Sequence, residues 1–158
     1  MADFVFVGTE LDLAYAAGII DGEGSIGITE IKPDYEKSNR KHRRKSPQIR
    51  GYMSVVMTDF TIPFWFAEKF GGTAHSYPPR KEGQKGSTHW RIHGERCVEV
   101  CQILIPYLKI KRNQALTLVE MYTDKRLNFN QTKTISEDEL SIRREYIHRI
   151  HTYNKRGE

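Results

Sequence analysis

Alternating hydrophobic and polar residues predict two β-hairpins in the N-terminal part of the chain. The first hairpin covers residues 25–58, where the strands SIGITEI and IRGYMSVVMT flank the long polar segment KPDYEKSNRKHRRKSPQ. In SIGIT the two isoleucines point to one face, and the serine, glycine and threonine point to the other. The second hairpin joins TAHSY to STHWRIH through the tip PPRKEGQKG, with Trp90 and Ile92 expected in the core.

A first helix is predicted over residues 10–21, where ELDLAYAAGIID precedes two closely spaced glycines. Thr9 and Asp12 resemble a capping box at its start, with Asp in place of the usual Glu. Gly22 and Gly24 are expected to end the helix before the first strand begins.

Capping signals and helical periodicity predict four more helices. They lie in TDFTIPFWFAEKFGG, ERCVEVCQILIPYL, KIKRNQALTLVEMYTDKR and SEDELSIRREYIHRIHTYNK. Asp59 or Thr61 caps the first of these, and the last opens on a capping box from Ser136 to Glu139 and covers residues 136–154. The element order is therefore αββαββα followed by C-terminal helices.

Length and composition favour one soluble globular domain over residues 1–158, with a core unit at 1–126. The chain has 38% hydrophobic and 28% charged residues, and its formal net charge of +5 favours a polyanionic partner. Two cysteines are too few for a disulfide framework and indicate a reducing compartment. The N-terminus does not resemble a signal peptide, and no apolar run approaches a membrane span, so an intracellular protein is expected.

Asp21 and Glu23 lie at the predicted C-terminal end of the first helix, where the helix dipole disfavours negative charge. The last helix carbonyls lack amide partners there as well. Convergent oxygen ligands suit a hard divalent cation such as Mg²⁺, which would compensate for the charge. The alternative is that Asp21 caps a neighbouring element and Glu23 faces water, because one chain alone offers few ligands for a metal.

The segment AAGIIDGEG, which ends at Gly24, resembles the motif of the LAGLIDADG homing endonucleases. Ala16 replaces the Leu of that motif, Gly22 replaces Ala, and Glu23 replaces the last Asp. YLKIKRNQA, at 107–115, resembles the lysine-bearing segment of the family, and the order αββαββα matches the family fold over nearly the whole chain. The resemblance implies an α+β fold whose antiparallel, saddle-shaped sheet carries helices on one face. A single motif is typical of members that act as homodimers.

The resemblance implies an intron-encoded enzyme that cleaves double-stranded DNA at a specific site. Such a homodimer binds a long pseudo-palindromic site and hydrolyses one phosphodiester in each strand across the minor groove, leaving 3′ overhangs. Mg²⁺ is the implied cofactor, with Mn²⁺ as a substitute and Ca²⁺ as a substitute that does not support cleavage. Neither a small-molecule substrate nor a membrane is expected as a partner. The compartment would be the cytoplasm of a prokaryote, or an organelle where the host intron is organellar.

Three residues are implied to act in catalysis. Glu23 is the catalytic acid, and it binds the metal together with the carbonyl group of Gly22. Lys111 matches the family lysine near the scissile phosphate, and Lys109 is the second candidate for that role. Asp59 matches a polar position that commonly organises water in the site.

Small residues on the first helix fit the dimer interface of the family, in which two motif helices pack closely at a symmetry axis. Ala14 and Gly18 share a helical face at four-residue spacing, as do Ala17 and Asp21. The resemblance implies that all four lie at this interface, with Asp21 as a structural acid near the helix end.

The polar strand faces and the basic hairpin tips are predicted to contact DNA, because a two-stranded ribbon fits the major groove and loop cations contact phosphates. The predicted contacts are Ser25, Gly27, Thr29, Lys32, Lys37, Arg40, Lys41, Arg43, Arg44, Lys45, Arg50, Tyr52, Ser54, His75, Tyr77, Arg80, Lys81, Lys85, His89, Arg91 and His93.

Three other interpretations remain open at this point. The same fold could serve a DNA-binding regulator or an intron-RNA splicing cofactor (maturase) that does not cleave. An enzyme on small phosphorylated ligands would need a glycine-rich loop at a helix start, whereas the glycines here lie at a helix end. The last alternative is a zinc site, for which His89, His93, Cys97 and Cys101 are evenly spaced but do not match common zinc motifs.

Overall fold

Five helices and four strands make up the residues that the computed structural model describes, which are 4–33, 46–129 and 134–155. The elements are α1 (Glu10–Glu23), β1 (Gly24–Ile31), β2 (Gln48–Met57), α2 (Thr61–Phe70), β3 (Thr73–Tyr77), β4 (Ser87–His93), α3 (Gly94–Leu104), α4 (Arg112–Thr123) and α5 (Glu137–Asn154). The predicted α+β class is confirmed, and so is the order αββαββα followed by two C-terminal helices.

The four strands form one antiparallel sheet in the order β1-β2-β4-β3. The two predicted hairpins meet through β2 and β4, whose register pairs Tyr52 with His93 and Val55 with Trp90. Directly paired residues of an antiparallel sheet point to the same face. The alternation predicted within each strand therefore continues across all four strands, so that one face of the sheet is apolar and the other polar.

The helices cover the apolar face and enclose the core with it. Trp90 of β4 packs against Phe66 of α2 with ring centroids 4.8 Å apart, and its indole Nε1 donates to the carbonyl of Gly71 at 2.8 Å. Cys97 and Cys101 of α3 lie fully buried in this core. Burial raises the pKa of the Cys97 thiol, and the neighbouring thiol of Cys101 adds to the effect.

The end of α1 differs from the prediction. The helix continues through Asp21 and Gly22 to Glu23, and its C-cap is Gly24, which has extended backbone angles. A Cβ atom on Gly24 would lie 2.7 Å from the Cα atom of Ile20, so glycine is required where the chain turns directly into β1. At the other end the capping box is confirmed, because Thr9 Oγ1 accepts from the Asp12 amide at 3.2 Å and Asp12 Oδ2 accepts from the Thr9 amide at 2.8 Å.

The first amides of α2 bind Asp59, one of the two predicted caps, although the N-cap position itself is Phe60. The Asp59 Oδ1 atom accepts hydrogen bonds from the amides of Thr61 at 2.8 Å and Ile62 at 3.2 Å. These bonds, after a stronger one from the Thr61 hydroxyl, lower the pKa of the Asp59 carboxyl. At the end of the same helix Gly71 has a φ of 79°, which a glycine adopts without strain.

The capping box predicted for α5 forms only in part. Ser136 Oγ accepts from the Glu139 amide at 3.2 Å. The Glu139 carboxylate instead accepts from the Asn128 amide at 2.8 Å and pairs with the buried Arg143. With 18 residues α5 is the longest helix in the described part of the chain, and no helix there is both long enough and apolar enough to cross a membrane.

Candidate functional site

The face of the sheet that the helices leave uncovered is called here the open face. It consists of Ser25, Gly27, Thr29, Ile31, Gln48, Arg50, Tyr52, Ser54, Val56, Thr73, His75, Tyr77, Ser87, His89, Arg91 and His93. None of these strand positions is a carboxylate. Glu30, the one acid in the four strands, lies on the opposite face and pairs with Arg144 of α5 at 2.7 Å. The open face is therefore a cationic surface with many hydrogen-bonding side chains.

The structure brings the predicted DNA contacts of all four strands onto this one surface. The register aligns Ser25, Ser54 and Arg91 in one row, and Thr29 with Arg50 in another. The sequence prediction did not name Ile31, Gln48, Val56, Thr73 and Ser87, which the period-two alternation could have added.

Tyr52 and Arg91 form a stacked pair at the centre of the open face. The Arg91 guanidinium lies 4.6 Å from the centroid of the Tyr52 ring. On its other side this ring covers Gly27, where a Cβ atom would lie 2.8 Å from the ring. Gly27 is buried and leaves room for the Tyr52 ring, so its predicted DNA contact stays a prediction that its burial in the single chain does not support.

His93 lies between two cationic side chains of the open face. Burial lowers the pKa of its imidazole, and the neighbouring charges of Arg50 and Arg91 lower it further. His93 is therefore neutral at neutral pH and contributes polar ring nitrogens rather than charge. His93 Nδ1 and Arg50 Nε are buried without a hydrogen-bond partner among the described residues.

In the second hairpin, polar side chains of β3 and β4 lie next to an exposed, basic tip. The rings of Tyr77 and His89 lie 4.7 Å apart, and His89 Nε2 hydrogen-bonds to the hydroxyl of Ser87 at 2.9 Å. The other predicted contacts Lys32, His75, Arg80, Lys81 and Lys85 are exposed. The predicted contacts Lys37, Arg40, Lys41, Arg43, Arg44 and Lys45 lie outside the described residues.

Glu23 lies at the junction between α1 and the open face. It ends the helix, and Ser25 of the open face follows two residues later. Its side chain is exposed, and it has no hydrogen-bond or ion-pair partner among the described residues. Gly22, one residue earlier, is also exposed, and a Cβ atom there would meet nothing within 4 Å. The Glu23 side chain therefore faces open space at this helix end.

Asp21 does not face open space but binds the segment between α3 and α4. Its Oδ2 atom accepts from the amide of Lys109 at 2.7 Å, and its Oδ1 atom accepts from the amide of Lys111 at 2.9 Å. The Lys111 ammonium returns to donate to the carbonyl oxygen of Asp21 at 2.5 Å. For Asp21 the structure therefore shows the alternative to metal binding, because its carboxylate caps a neighbouring element.

This arrangement compensates for the charge at the end of α1 without a metal. Lys111 places a cation on the helix carbonyls, where the dipole is negative. The same residue is the N-cap of α4, so the Asp21 carboxylate lies at the positive end of that helix. Each helix end thus receives the charge that its dipole favours, and in the described part of the chain Glu23 remains the acid without a compensating partner.

Several solved structures of homing endonucleases share this architecture. I-CvuI in complex with its target in the presence of Ca matches with a TM-score of 0.69 and 20% identity, over 94% of this chain and 84% of that chain. The archaeal intron-encoded enzyme I-Vdi141I, complexed with DNA, matches with a TM-score of 0.64 and 15% identity, over 94% of this chain and 87% of that one. I-TnaI matches with a TM-score of 0.56 and 18% identity, over 92% and 97% of the two chains. No protein-family model and no curated protein matches the sequence.

The chain has the LAGLIDADG homing endonuclease fold. The fold implied by the resemblance of AAGIIDGEG is thereby confirmed. Identities of 15–20% support the fold and no more. The roles of individual residues stay predictions.

The motif helix of this LAGLIDADG fold carries an exposed stripe at helical spacing. The stripe consists of Leu11, Ala14, Tyr15, Gly18 and Gly22. Ala17 lies outside it, fully buried in the core of the single chain, because a rotation of about 100° per residue turns it away from Gly18. Of the four predicted interface residues, Ala14 and Gly18 are exposed, whereas Ala17 is used in the core and the carboxylate of Asp21 is engaged within the chain, so the interface stays a prediction.

In this LAGLIDADG fold, the residues of two further predictions, the catalytic Asp59 and the zinc site, have other structural roles. The Asp59 carboxylate caps α2, so its proposed part in catalysis would compete with three hydrogen bonds to one oxygen atom. The four residues of the zinc alternative lie on two sides of the sheet, since His89 and His93 belong to the open face and Cys97 and Cys101 to the core. No group of three potential metal-ligating His, Cys, Asp or Glu side chains occurs in the described ranges.

Proposed function

We propose that this chain is a site-specific, Mg²⁺-dependent DNA endonuclease that acts as a homodimer on a long pseudo-palindromic site. One observation supports the proposal above all: Glu23, which is exposed and has no partner among the described residues, adjoins a cationic open face that has no carboxylate of its own. DNA lying on that face would bring phosphates to Glu23, whereas Asp21, the other acid of the α1 end, is bound to backbone amides. In each strand one phosphodiester is hydrolysed, which leaves 3′ overhangs.

The donor set at the end of α1 fits a hard divalent cation. Glu23 and the carbonyl oxygen of Gly22 would hold it, whereas Asp21 is occupied by two backbone amides. When bound, Mg²⁺ supplies Lewis acidity to the scissile phosphate and to an attacking water. The described residues of one chain offer too few ligands for a complete site, so phosphate oxygens of the DNA and the second chain would complete it.

Residues of the chain itself supply orientation and charge. The open face holds the duplex through Arg50, Arg91 and neutral polar side chains, which fixes the phosphate relative to Glu23. Lys111 is held at the end of α1 through its bond to the Asp21 carbonyl, and from there its ammonium stabilises the negative charge that develops on the phosphate.

The rival function is DNA or RNA binding without cleavage on the same fold. Incubating the protein with a duplex made by joining the two sequences that flank its gene, with Mg²⁺ and with EDTA, separates the two. Cutting of both strands only with Mg²⁺ supports the endonuclease. Tight, specific binding that leaves the duplex intact in Mg²⁺ and in Mn²⁺ would contradict it and support the regulator or splicing cofactor.

Replacing Lys111 with Met is expected to slow cleavage by about 100-fold or more, because a donor aimed at developing charge contributes on that scale. The affinity for the duplex, measured in Ca²⁺, should change little. Single-turnover cleavage and fluorescence anisotropy are the two measurements. Lys109→Met serves as the matched control, since only the backbone of Lys109 contacts Asp21. Equal rate losses in both variants would contradict the assignment to Lys111.

Replacing Lys81 and Lys85 together with Gln is expected to flatten the salt dependence of DNA binding. Each cation removed from a phosphate lowers the slope of log K against log salt by about 0.9, so the slope should fall by about 1.8 per chain. The control is Lys125→Gln, which changes an exposed lysine in the connector after α4. An unchanged slope in the double variant would remove this hairpin tip from the interface.

A further inference from the structure

We infer that Asp21 is a positioning residue for Lys111: its carboxylate clamps the segment between α3 and α4 so that the lysine ammonium is held at the end of the motif helix. The inference rests on the proposed endonuclease function, and it assigns Asp21 a task within one chain rather than at a dimer interface.

Three hydrogen bonds carry the inference, and they run in both directions. The carboxylate of Asp21 receives the amides of Lys109 and Lys111 at 2.7 and 2.9 Å, one on each oxygen atom. The ammonium of Lys111 then returns to the carbonyl oxygen of Asp21 at 2.5 Å. The backbone amide and the side chain of Lys111 are therefore both bonded to Asp21, which fixes the ammonium at the end of α1.

The segment that Asp21 binds runs between two points that are anchored by other contacts. Leu108 anchors it, with its side chain buried and its amide bonded to the Leu104 carbonyl at 3.0 Å. Ile110, between the two clamped amides, is 71% exposed. On the far side α4 begins directly, since the Lys111 carbonyl accepts from the Ala115 amide at 3.1 Å. Between the Leu108 anchor and the first turn of α4, the Asp21 carboxylate therefore holds the backbone through two amides.

The variant Asp21→Asn tests the hydrogen bonds of the carboxylate, because it keeps the size of the side chain. The carbonyl oxygen of the variant side chain can accept one of the two amides, but its amino group then faces the other N–H, so donor opposes donor. Because a displacement of about 1 Å at a reacting group can cost about 100-fold in rate, Asp21→Asn is expected to slow single-turnover cleavage by about 100-fold. The affinity for the duplex in Ca²⁺ should stay near that of the wild type.

A double-mutant cycle tests whether Asp21 acts through Lys111. If it does, Asp21→Asn loses most of its effect in the Lys111→Met background, because the group that it positions is gone. Rate losses that multiply instead would overturn the inference, as would a wild-type rate for Asp21→Asn. The control Asp12→Asn changes a carboxylate that binds a backbone amide at the opposite end of the same helix, and it should keep the wild-type rate.

Amide hydrogen exchange gives a second readout that does not depend on cleavage. In the wild type the amides of Lys109 and Lys111 should be protected, and Asp21→Asn should lose that protection while Asp12→Asn keeps it. Intrinsic exchange rates at both amides in the wild type would overturn the clamp even if the variant failed to fold. A wild-type protein that binds the duplex and never cuts it would instead overturn the proposed function. The two failures are therefore distinguishable.

Discussion

Replacing Glu23 with Gln is expected to abolish cleavage and to leave DNA binding close to that of the wild type. The substitution keeps the size of the side chain but removes the charge that would hold the metal. Metal-borne charge stabilisation of several kcal/mol corresponds to a loss of about 1,000-fold or more in rate. Single-turnover cleavage with Mg²⁺ measures the loss, and anisotropy in Ca²⁺ measures the affinity.

The fold should tolerate this change, because Glu23 is exposed and has no partner among the described residues. An acid at a helix C-terminus is disfavoured by the dipole, so the melting temperature should stay equal or rise slightly. Glu68→Gln, which alters an exposed glutamate of α2, is the matched control. Full cleavage by Glu23→Gln would show that the metal assignment is wrong, whatever the identity of the other ligands.

Replacing Gly18 with Leu is expected to give a folded single chain that neither dimerises nor binds the full DNA site. Within one chain a Cβ atom at Gly18 meets nothing within 4 Å, so the larger side chain has room. Leucine also favours the helix over glycine by about 0.5–1 kcal/mol. Two motif helices packed closely across this position would be forced apart, so the loss appears only on association.

Sedimentation velocity over a range of concentrations measures the oligomeric state, and gel shift measures DNA binding. Ser141→Leu, on the exposed face of α5, controls for the added apolar side chain. If the Gly18→Leu protein remained a dimer with normal affinity, the exposed stripe of α1 would not be the dimer interface.

Local sequence signals predicted the elements well because each depends on neighbouring residues. The capping side chain of Thr9 contacts an amide three residues away, and the alternation of Ile26 and Ile28 follows from the period of a strand. The end of α1 was predicted too early, because glycine at position 22 was read as a stop. The steric demand that places the turn at Gly24 comes from the approach of Ile20, which the sequence does not show.

The sequence by itself determined the fold class, the strand faces, the motif helix and the residues from which a site can be built, since periodicity and motif spacing are properties of the chain. Only the tertiary structure decided how the two acids of that helix differ. Asp21 and Glu23 are separated by one residue, but a rotation of about 200° along the helix turns one toward the α3–α4 segment and the other into solvent. That segment lies nearly 90 positions away in the sequence, so no local pattern reveals that it binds Asp21 and leaves Glu23 without a partner among the described residues.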